Sequence, residues 1–315
     1  MCCLPILTCL STSHYCLCHD TGCLSSVHYA LCCNTDFLSS VHYYLYGVVV
    51  IQEFLTEGEA EELRLAGDQL EKDRQDEPLS IFSTVDSEKS QNSDVYFMES
   101  NDKIRFFQEA ESNNGDKGPL NKVGHALHWL HPLFRFYTYS DRVKQACLSL
   151  GLEDPAVVQS MYIYKSAGVG GEVTPHQDAT YLSTEPETAV GFWIALEDAT
   201  LENGCLWFAS GSHKSGVHRR YMRNPDKDAR ELIVYDRPSP LYPASNFTPL
   251  PVKKGDCIII HGQVVHQSGK NKSSKGRPAY TFHVVERSAK FSKDNWIQEG
   301  PGAPFVPLYT TDQMA

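Results

Sequence analysis

From Ala156 onward the chain is a succession of short apolar, β-branched and aromatic runs separated by polar turns. Val157 to Tyr164, Val190 to Leu196 and Cys205 to Phe208 are three such runs, the last following an Asn203-Gly204 turn. Residues 176–182, 257–266 and 278–286 add three more. The last two flank the polar stretch Ser268 to Gly276 and predict a hairpin with a long loop. Upstream, Gly47 to Ile51 predicts a strand. Thr56-Glu57-Gly58-Glu59 is a capping box that opens a helix with Leu63, Ala66 and Leu70 on one side. The acidic residues of its first turn suit the helix dipole. Residues 71–95 are polar and predict a surface loop, and Lys103 to Phe107 is strand-like. Helices are predicted over about Asn121 to Leu130 and about Leu133 to Leu150, with Gly151 as a left-handed cap. The whole pattern predicts a mainly β protein with flanking helices, built on a two-sheet jelly roll.

Residues 1–46 stand apart from this pattern. Cys9-Leu10-Ser11-Thr12-Ser13-His14-Tyr15 recurs as Cys23 to Tyr29 and again as Phe37 to Tyr43. The Cys pairs miss regular zinc spacing, and the third copy has lost its Cys. With no Lys or Arg before Arg64, a secretory signal is not expected. The segment reads as a disordered extension or a misassigned first exon, with zinc binding or targeting as the alternatives, and the folded domain is expected over 47–315. The other cysteines, Cys147, Cys205 and Cys257, sit in apolar settings and predict buried thiols of an intracellular, cytoplasmic protein. The last residues, Asp312-Gln313-Met314-Ala315, are not a peroxisomal Ser-Lys-Leu signal. A net charge of −11 argues against a nucleic-acid partner, and no apolar run is long enough for a membrane span. The expected partner is a small-molecule substrate, and nothing in the chain requires more than a monomer.

Candidate chemistry centres on Thr174-Pro175-His176-Gln177-Asp178. Pro175 holds Thr174 extended, and residues two apart on a strand share a face, so His176 and Asp178 can ligate one metal ion. His266 follows the apolar run at Cys257 and supplies a third ligand. Two imidazoles and one carboxylate leave open positions, the arrangement of non-haem Fe(II) oxygenases. Arg277 can grip a free carboxylate, with Ser268 as an added hydroxyl donor. This points to a chelating 2-oxoacid and to Fe(II) rather than zinc. His125, His128 and His131 form a rival cluster, but at helical spacing the three cannot meet at one ion, and packing is the expected role. His261 falls on the opposite strand face from His266 unless Gly262 adds a bulge. Residues 214–250, with Arg219, Arg220 and Arg223, read as a surface excursion or as a loop over the barrel mouth.

Several segments together resemble the phytanoyl-CoA dioxygenase family of Fe(II)/2-oxoglutarate oxygenases. They are Asp102 to Phe107, Lys122 to His128, Gln159 to Ile163, Gly170 to Asp178, Glu197 to His213 and His261 to His266, in order within about residues 46–310. The resemblance implies a double-stranded β-helix core and a hydroxylating dioxygenase that uses Fe(II), 2-oxoglutarate and dioxygen, with ascorbate as a reductant. It implies that Lys103 contacts 2-oxoglutarate, where the bland reading is a solvated cation, and that Met161 and Trp193 wall the cosubstrate pocket, where the bland reading is plain core. A carboxylate at 178 argues for hydroxylation, because related halogenases carry a small residue there. One departure is Ser210 where the family usually has Pro before Gly211-Ser212-His213; it touches no proposed ligand. The family name suggests an acyl-CoA, but the chain shows no CoA motif. A non-catalytic jelly roll that senses a metal or a 2-oxoacid is the alternative of a different class.

Overall fold

The computed structural model describes residues 36–74, 77–85, 90–110, 118–300, 302 and 304–309. The chain opens with α1 (Asp36–Tyr46), β1 (Val48–Ile51), α2 (Glu57–Asp73), β2 (Leu79–Phe82), α3 (Val95–Met98), β3 (Ile104–Glu109) and β4 (Leu120–His125). Three helices follow, α4 (Leu127–Leu130), α5 (Pro132–Thr138) and α6 (Asp141–Ser149). Then come β5 (Pro155–Ile163), β6 (Val173–His176), β7 (Thr184–Glu185), β8 (Val190–Ala195), β9 (Leu206–Ala209), β10 (Tyr221–Arg223) and β11 (Ile233–Tyr235). The last strands are β12 (Phe247–Leu250), β13 (Cys257–His261), β14 (Val265–Ser268), β15 (Ala279–Glu286) and β16 (Lys290–Phe291).

The major sheet has eight strands in the order β1-β13-β8-β15-β5-β4-β3-β2, and the minor sheet four, β12-β9-β14-β6. All these pairings are antiparallel except β2 with β3. Strand alternation divides the central strands by chemistry. Phe192 and Ile194 of β8, with Tyr280, Phe282 and Val284 of β15, join a core that also holds Leu63 of α2, Phe134 of α5 and Val143 of α6. The alternate residues Trp193, Thr281 and His283 line a cavity shared with His176 of β6, Leu206 of β9 and His266 of β14. One face of the major sheet is therefore held by helices, and the other faces the minor sheet across the cavity. The capping box at Thr56 and Glu59 forms as expected, and Gly151 takes a left-handed φ of 76° after α6.

Several expectations change. Residues 120–125 are a strand, not a helix: Lys122 and Gly124 pair with Ile163 and Met161 of β5, and β3 pairs on the other edge. Cross-strand pairing on both edges outweighs local helical spacing in a stretch containing Asn121 and Gly124, both weak helix formers. The helix expected over 133–150 is two, α5 and α6, with Ser140 in extended geometry between them. The strand expected over 257–266 breaks at Gly262. A Cβ there would sit 2.6 Å from the Ala189 carbonyl oxygen, so a side chain is excluded where the chain crosses from the major to the minor sheet. The predicted hairpin is consequently absent, since β14 pairs with β6 and β9 while β15 pairs with β5 and β8. Part of the surface loop at 71–95 is instead α2 and the edge strand β2.

Residues 214–250 contain the β10–β11 ribbon and β12 of the minor sheet. Arg219 is buried over the Tyr235 ring at 3.8 Å. The folded unit also begins before residue 47. Tyr43 in α1 belongs to the core, Tyr44 Oη donates to Leu150 O at 2.8 Å, and Gly47 closes the helix at φ 81°. The third repeat copy, Phe37 to Tyr43, thus lies within α1, while the first two lie outside the described residues. Cys147, Cys205 and Cys257 are buried free thiols. No helix among the described residues is long and apolar enough to cross a membrane.

Candidate metal and 2-oxoacid site

His176 closes β6 and faces His266 of β14 across the pair, with ring centroids 4.2 Å apart. Asp178 is not on the strand expected over 176–182: it opens a short 3-10 turn, Asp178–Thr180. The His-x-Asp juxtaposition survives because Gln177 stays extended at φ −113° and ψ 141°. Gln177 is buried and tethered, donating to Gly216 O at 2.8 Å and Gln263 O at 2.6 Å. Asp178 Oδ1 lies 3.7 Å from His176 Nε2 and 3.6 Å from His266 Nε2. Among the described residues, these three are the His, Cys, Asp and Glu group able to share a metal ion. Each histidine sets its own tautomer. His176 Nδ1 meets Thr174 O at 2.9 Å and His266 Nδ1 meets Val264 O at 3.2 Å. A carbonyl demands a donor, so Nδ1 carries the proton and the Nε2 lone pair faces the carboxylate.

A fourth residue, unforeseen from the sequence, completes the group. His283 Nε2 lies 3.2 Å from Asp178 Oδ2, and its Nδ1 is 3.2 Å from Gln159 Nε2. Gln159 can only donate through Nε2, so His283 accepts at Nδ1 and donates from Nε2 to Asp178. One carboxylate oxygen is fixed by this chain and the other is left toward the two ligand histidines. Gly191 gives the arrangement its room, because a Cβ there would stand 2.9 Å from Asp178 Oδ2. Burial raises the Asp178 carboxyl pKa, but the surrounding His283, His266 and His176 outweigh it and hold the group below the usual carboxylate range. The sequence did carry a signal for His283: it shares parity with Arg277 and Thr281 along one strand direction.

At the other end of the cavity, Arg277 is 2% exposed and its Nε and Nη1 have no hydrogen-bond partner. Its guanidinium lies 5.0 Å from the Trp193 ring centre. Burial lowers its pKa to about 10, and Trp193, Met161 and Ser268 line the same cavity. Ser268 is less available than expected, since its hydroxyl donates to Gly204 O at 3.0 Å. Lys103 is misplaced by the sequence reading. Its side chain is 46% exposed and pairs with Asp102 and with Glu99 O, away from the cavity. Lys122 of β4 does line the cavity, 3.4 Å from the Phe82 ring centre and 3.6 Å from Met161 Sδ, as does Lys165. Removing the 103 side chain (Lys103→Ala) should therefore leave 2-oxoglutarate affinity within twofold, whereas Lys122→Met should weaken it at least several-fold; calorimetric titration of both separates the two positions.

The rival histidines are structural. His125 Nδ1 meets Ser100 Oγ at 2.7 Å, and its ring packs on Trp296 at 4.9 Å. His128 Nδ1 meets Ser160 Oγ at 2.9 Å, and the His131 ring packs on Phe134. His261 packs at a tilt against His213 and Tyr43 and is not among the metal-binding group. Burial pushes the His128 pKa down to about 3. Unfolded, the same imidazole titrates near 6.5, so below that pH the unfolded chain binds the extra proton and stability falls. His128 alone should cost about 2 kcal/mol between pH 7 and pH 5. Urea unfolding at both pH values, in the wild type and in His128→Gln, should show a shallower pH slope in the variant.

A cavity of about 200 Å³ thus runs from a His-Asp-His group to a buried guanidinium with two unpartnered nitrogens. The donor set fits a divalent metal, and the guanidinium fits a carboxylate. The fold is that of the 2-oxoglutarate-dependent jelly-roll oxygenases. EctD from S. alaskensis, solved with 2-oxoglutarate and 5-hydroxyectoine, superposes with a TM-score of 0.59 at 16% identity, over 90% of this chain and 93% of its own. The α-ketoglutarate-dependent carbocyclase SnoK superposes with a TM-score of 0.57 at 20% identity, over 87% of this chain and 97% of its own. The phytanoyl-CoA dioxygenase family model matches residues 43–279. A phytanoyl-CoA dioxygenase of Arabidopsis thaliana is 47% identical over 80% of this chain and 89% of its own length. The Bos taurus phytanoyl-CoA dioxygenase domain-containing protein 1 is 46% identical over 84% and 95%. The chain belongs to the phytanoyl-CoA dioxygenase family.

Proposed function

We propose that this protein is an Fe(II)- and 2-oxoglutarate-dependent dioxygenase that hydroxylates a small molecule or an acyl-CoA-like substrate, using dioxygen and, as a reductant, ascorbate. The observation that carries this reading is Arg277, a fully buried guanidinium with unpartnered Nε and Nη1 in the cavity that holds the three metal-binding side chains. A buried charge without a counterion is costly, and a dicarboxylic 2-oxoacid supplies the counterion. His176 and His266 would hold Fe(II) through Nε2 and Asp178 through Oδ1. His283 and Gln159 keep the Asp178 carboxylate from rotating. Arg277 would take the distal carboxylate of 2-oxoglutarate against the Trp193 face, with Met161 and Lys122 lining the cavity from the neighbouring strands β5 and β4. Fe(II) with 2-oxoglutarate supplies dioxygen activation coupled to release of succinate and CO2. The mainly aromatic wall of Phe97, Tyr181, Tyr221 and Trp296 keeps water from the reacting end.

The direct test is succinate formation from 2-oxoglutarate by the purified protein with Fe(II) and ascorbate. Turnover that disappears in the His176→Ala variant supports the oxygenase. Tight 2-oxoglutarate binding with no succinate in the presence of any candidate substrate would instead make the protein a 2-oxoacid sensor.

A further inference from the structure

Arg277 does not face the cavity alone. β5 and β15 run antiparallel in register, with Thr281 opposite Met161 and Ala279 opposite Ile163. One step further along the pair, Arg277 N donates to Lys165 O at 3.1 Å. Arg277 and Lys165 thus face each other just beyond the ends of β15 and β5, and both line the cavity. Lys165 is 2% exposed and adopts φ 44°, a left-handed conformation uncommon outside glycine. Its surroundings leave space for it: a Cβ on Gly170 would come within 2.7 Å of the Lys165 backbone, and a Cβ on Gly204 within 2.9 Å of Lys165 Cε. The ammonium donates to Gly171 O at 2.5 Å, which occupies one of its three hydrogens.

Two like charges opposed in a low-dielectric cavity repel each other. An apolar side chain of similar length would fill the same volume at no such cost, so the cation needs a reason. Resting on the oxygenase reading above, we propose that Lys165 is a specificity-determining residue that shares the distal carboxylate of the cosubstrate with Arg277, so that the cavity selects dicarboxylic over monocarboxylic 2-oxoacids. The charged groups facing Lys165 are Arg277 just before β15, Glu109 at the end of β3 and Glu172 just before β6, and Lys122 of the neighbouring strand β4 lines the same cavity. Burial and the Arg277 charge outweigh the two glutamates and lower the Lys165 pKa to about 7. Only the protonated ammonium can hold the anion. Affinity for a dicarboxylate should thus be full below pH 7 and decline above it toward the level of the neutral variants, where Arg277 alone holds the carboxylate.

The test is calorimetric titration under nitrogen with Mn(II) in place of Fe(II), using 2-oxoglutarate and the monocarboxylic acid 2-oxobutyrate. In Lys165→Met, 2-oxoglutarate affinity should fall at least tenfold and lose its decline above pH 7, while 2-oxobutyrate affinity stays within twofold. Lys165→Arg should restore the dicarboxylate preference. Thermal melting checks each fold, and Lys165→Gln is the second variant should the methionine not fold. Unchanged 2-oxoglutarate affinity in both neutral variants, or an equal loss for both acids, would overturn the role of Lys165 while leaving the oxygenase reading intact. Failure of the wild type to bind 2-oxoglutarate with metal would overturn both.

Discussion

Replacing Asp178 by alanine is expected to reduce 2-oxoglutarate turnover at least about a hundredfold, since even partners outside the ligand set cost 10–100-fold when lost. The carboxylate is the shared point of the site, with Oδ1 facing both ligand histidines and Oδ2 held by His283. Its removal leaves two imidazoles and one neutral cavity wall, too few donors to hold Fe(II) tightly, and it strips His283 of its acceptor. Asp178→Asn keeps the volume and the oxygen facing His283 but not the charge, and should fall between alanine and wild type. His283→Asn should cost less than either, on the order of tenfold, because it loosens the carboxylate without removing it. Succinate release at saturating Fe(II), read beside Fe(II) affinity, ranks the three. Full turnover in Asp178→Ala would remove this group from the chemistry.

The sequence showed β5, β8 and β15 of the major sheet well, because Val157 to Tyr164, Val190 to Leu196 and 278–286 are apolar, β-branched and aromatic runs, but it missed β4 and β2. It also brought His176, Asp178, His266 and Arg277 to one cavity, although the route differed. The expected hairpin does not exist, and His266 and Arg277 line one cavity because β14 and β15 belong to different sheets. The crossing at Gly262 was invisible, since the Ala189 carbonyl that excludes a side chain there is distant in sequence. Lys103 and Lys122 are equally basic, one just before β3 and the other within β4. Only the pairing of β4 with β5 turns Lys122 inward beside Met161. For His283 the only signal was its parity with Arg277, because its partners Asp178 and Gln159 come from other elements and no local spacing joins them.

The second large effect is expected at Arg277, where two readouts should move in opposite directions. In Arg277→Met the KM for 2-oxoglutarate should rise about a hundredfold or more, because charge-assisted hydrogen bonds to a carboxylate are worth roughly 1.5–3 kcal/mol each. Turnover at saturation should change far less, since the guanidinium sits at the end of the cavity away from the metal group. The same substitution should make the ligand-free protein more stable. It removes a buried cation whose Nε and Nη1 lack partners and which faces Lys165 beyond the strand ends, and burying an unpaired charge is unfavourable. Thermal melting should therefore show a higher midpoint without 2-oxoglutarate and a smaller rise on adding it than in the wild type. A structural arginine would give the reverse, a lower midpoint with ligand affinity unchanged. That result would take Arg277 out of the site and leave the three metal-binding side chains without an organic cosubstrate to position.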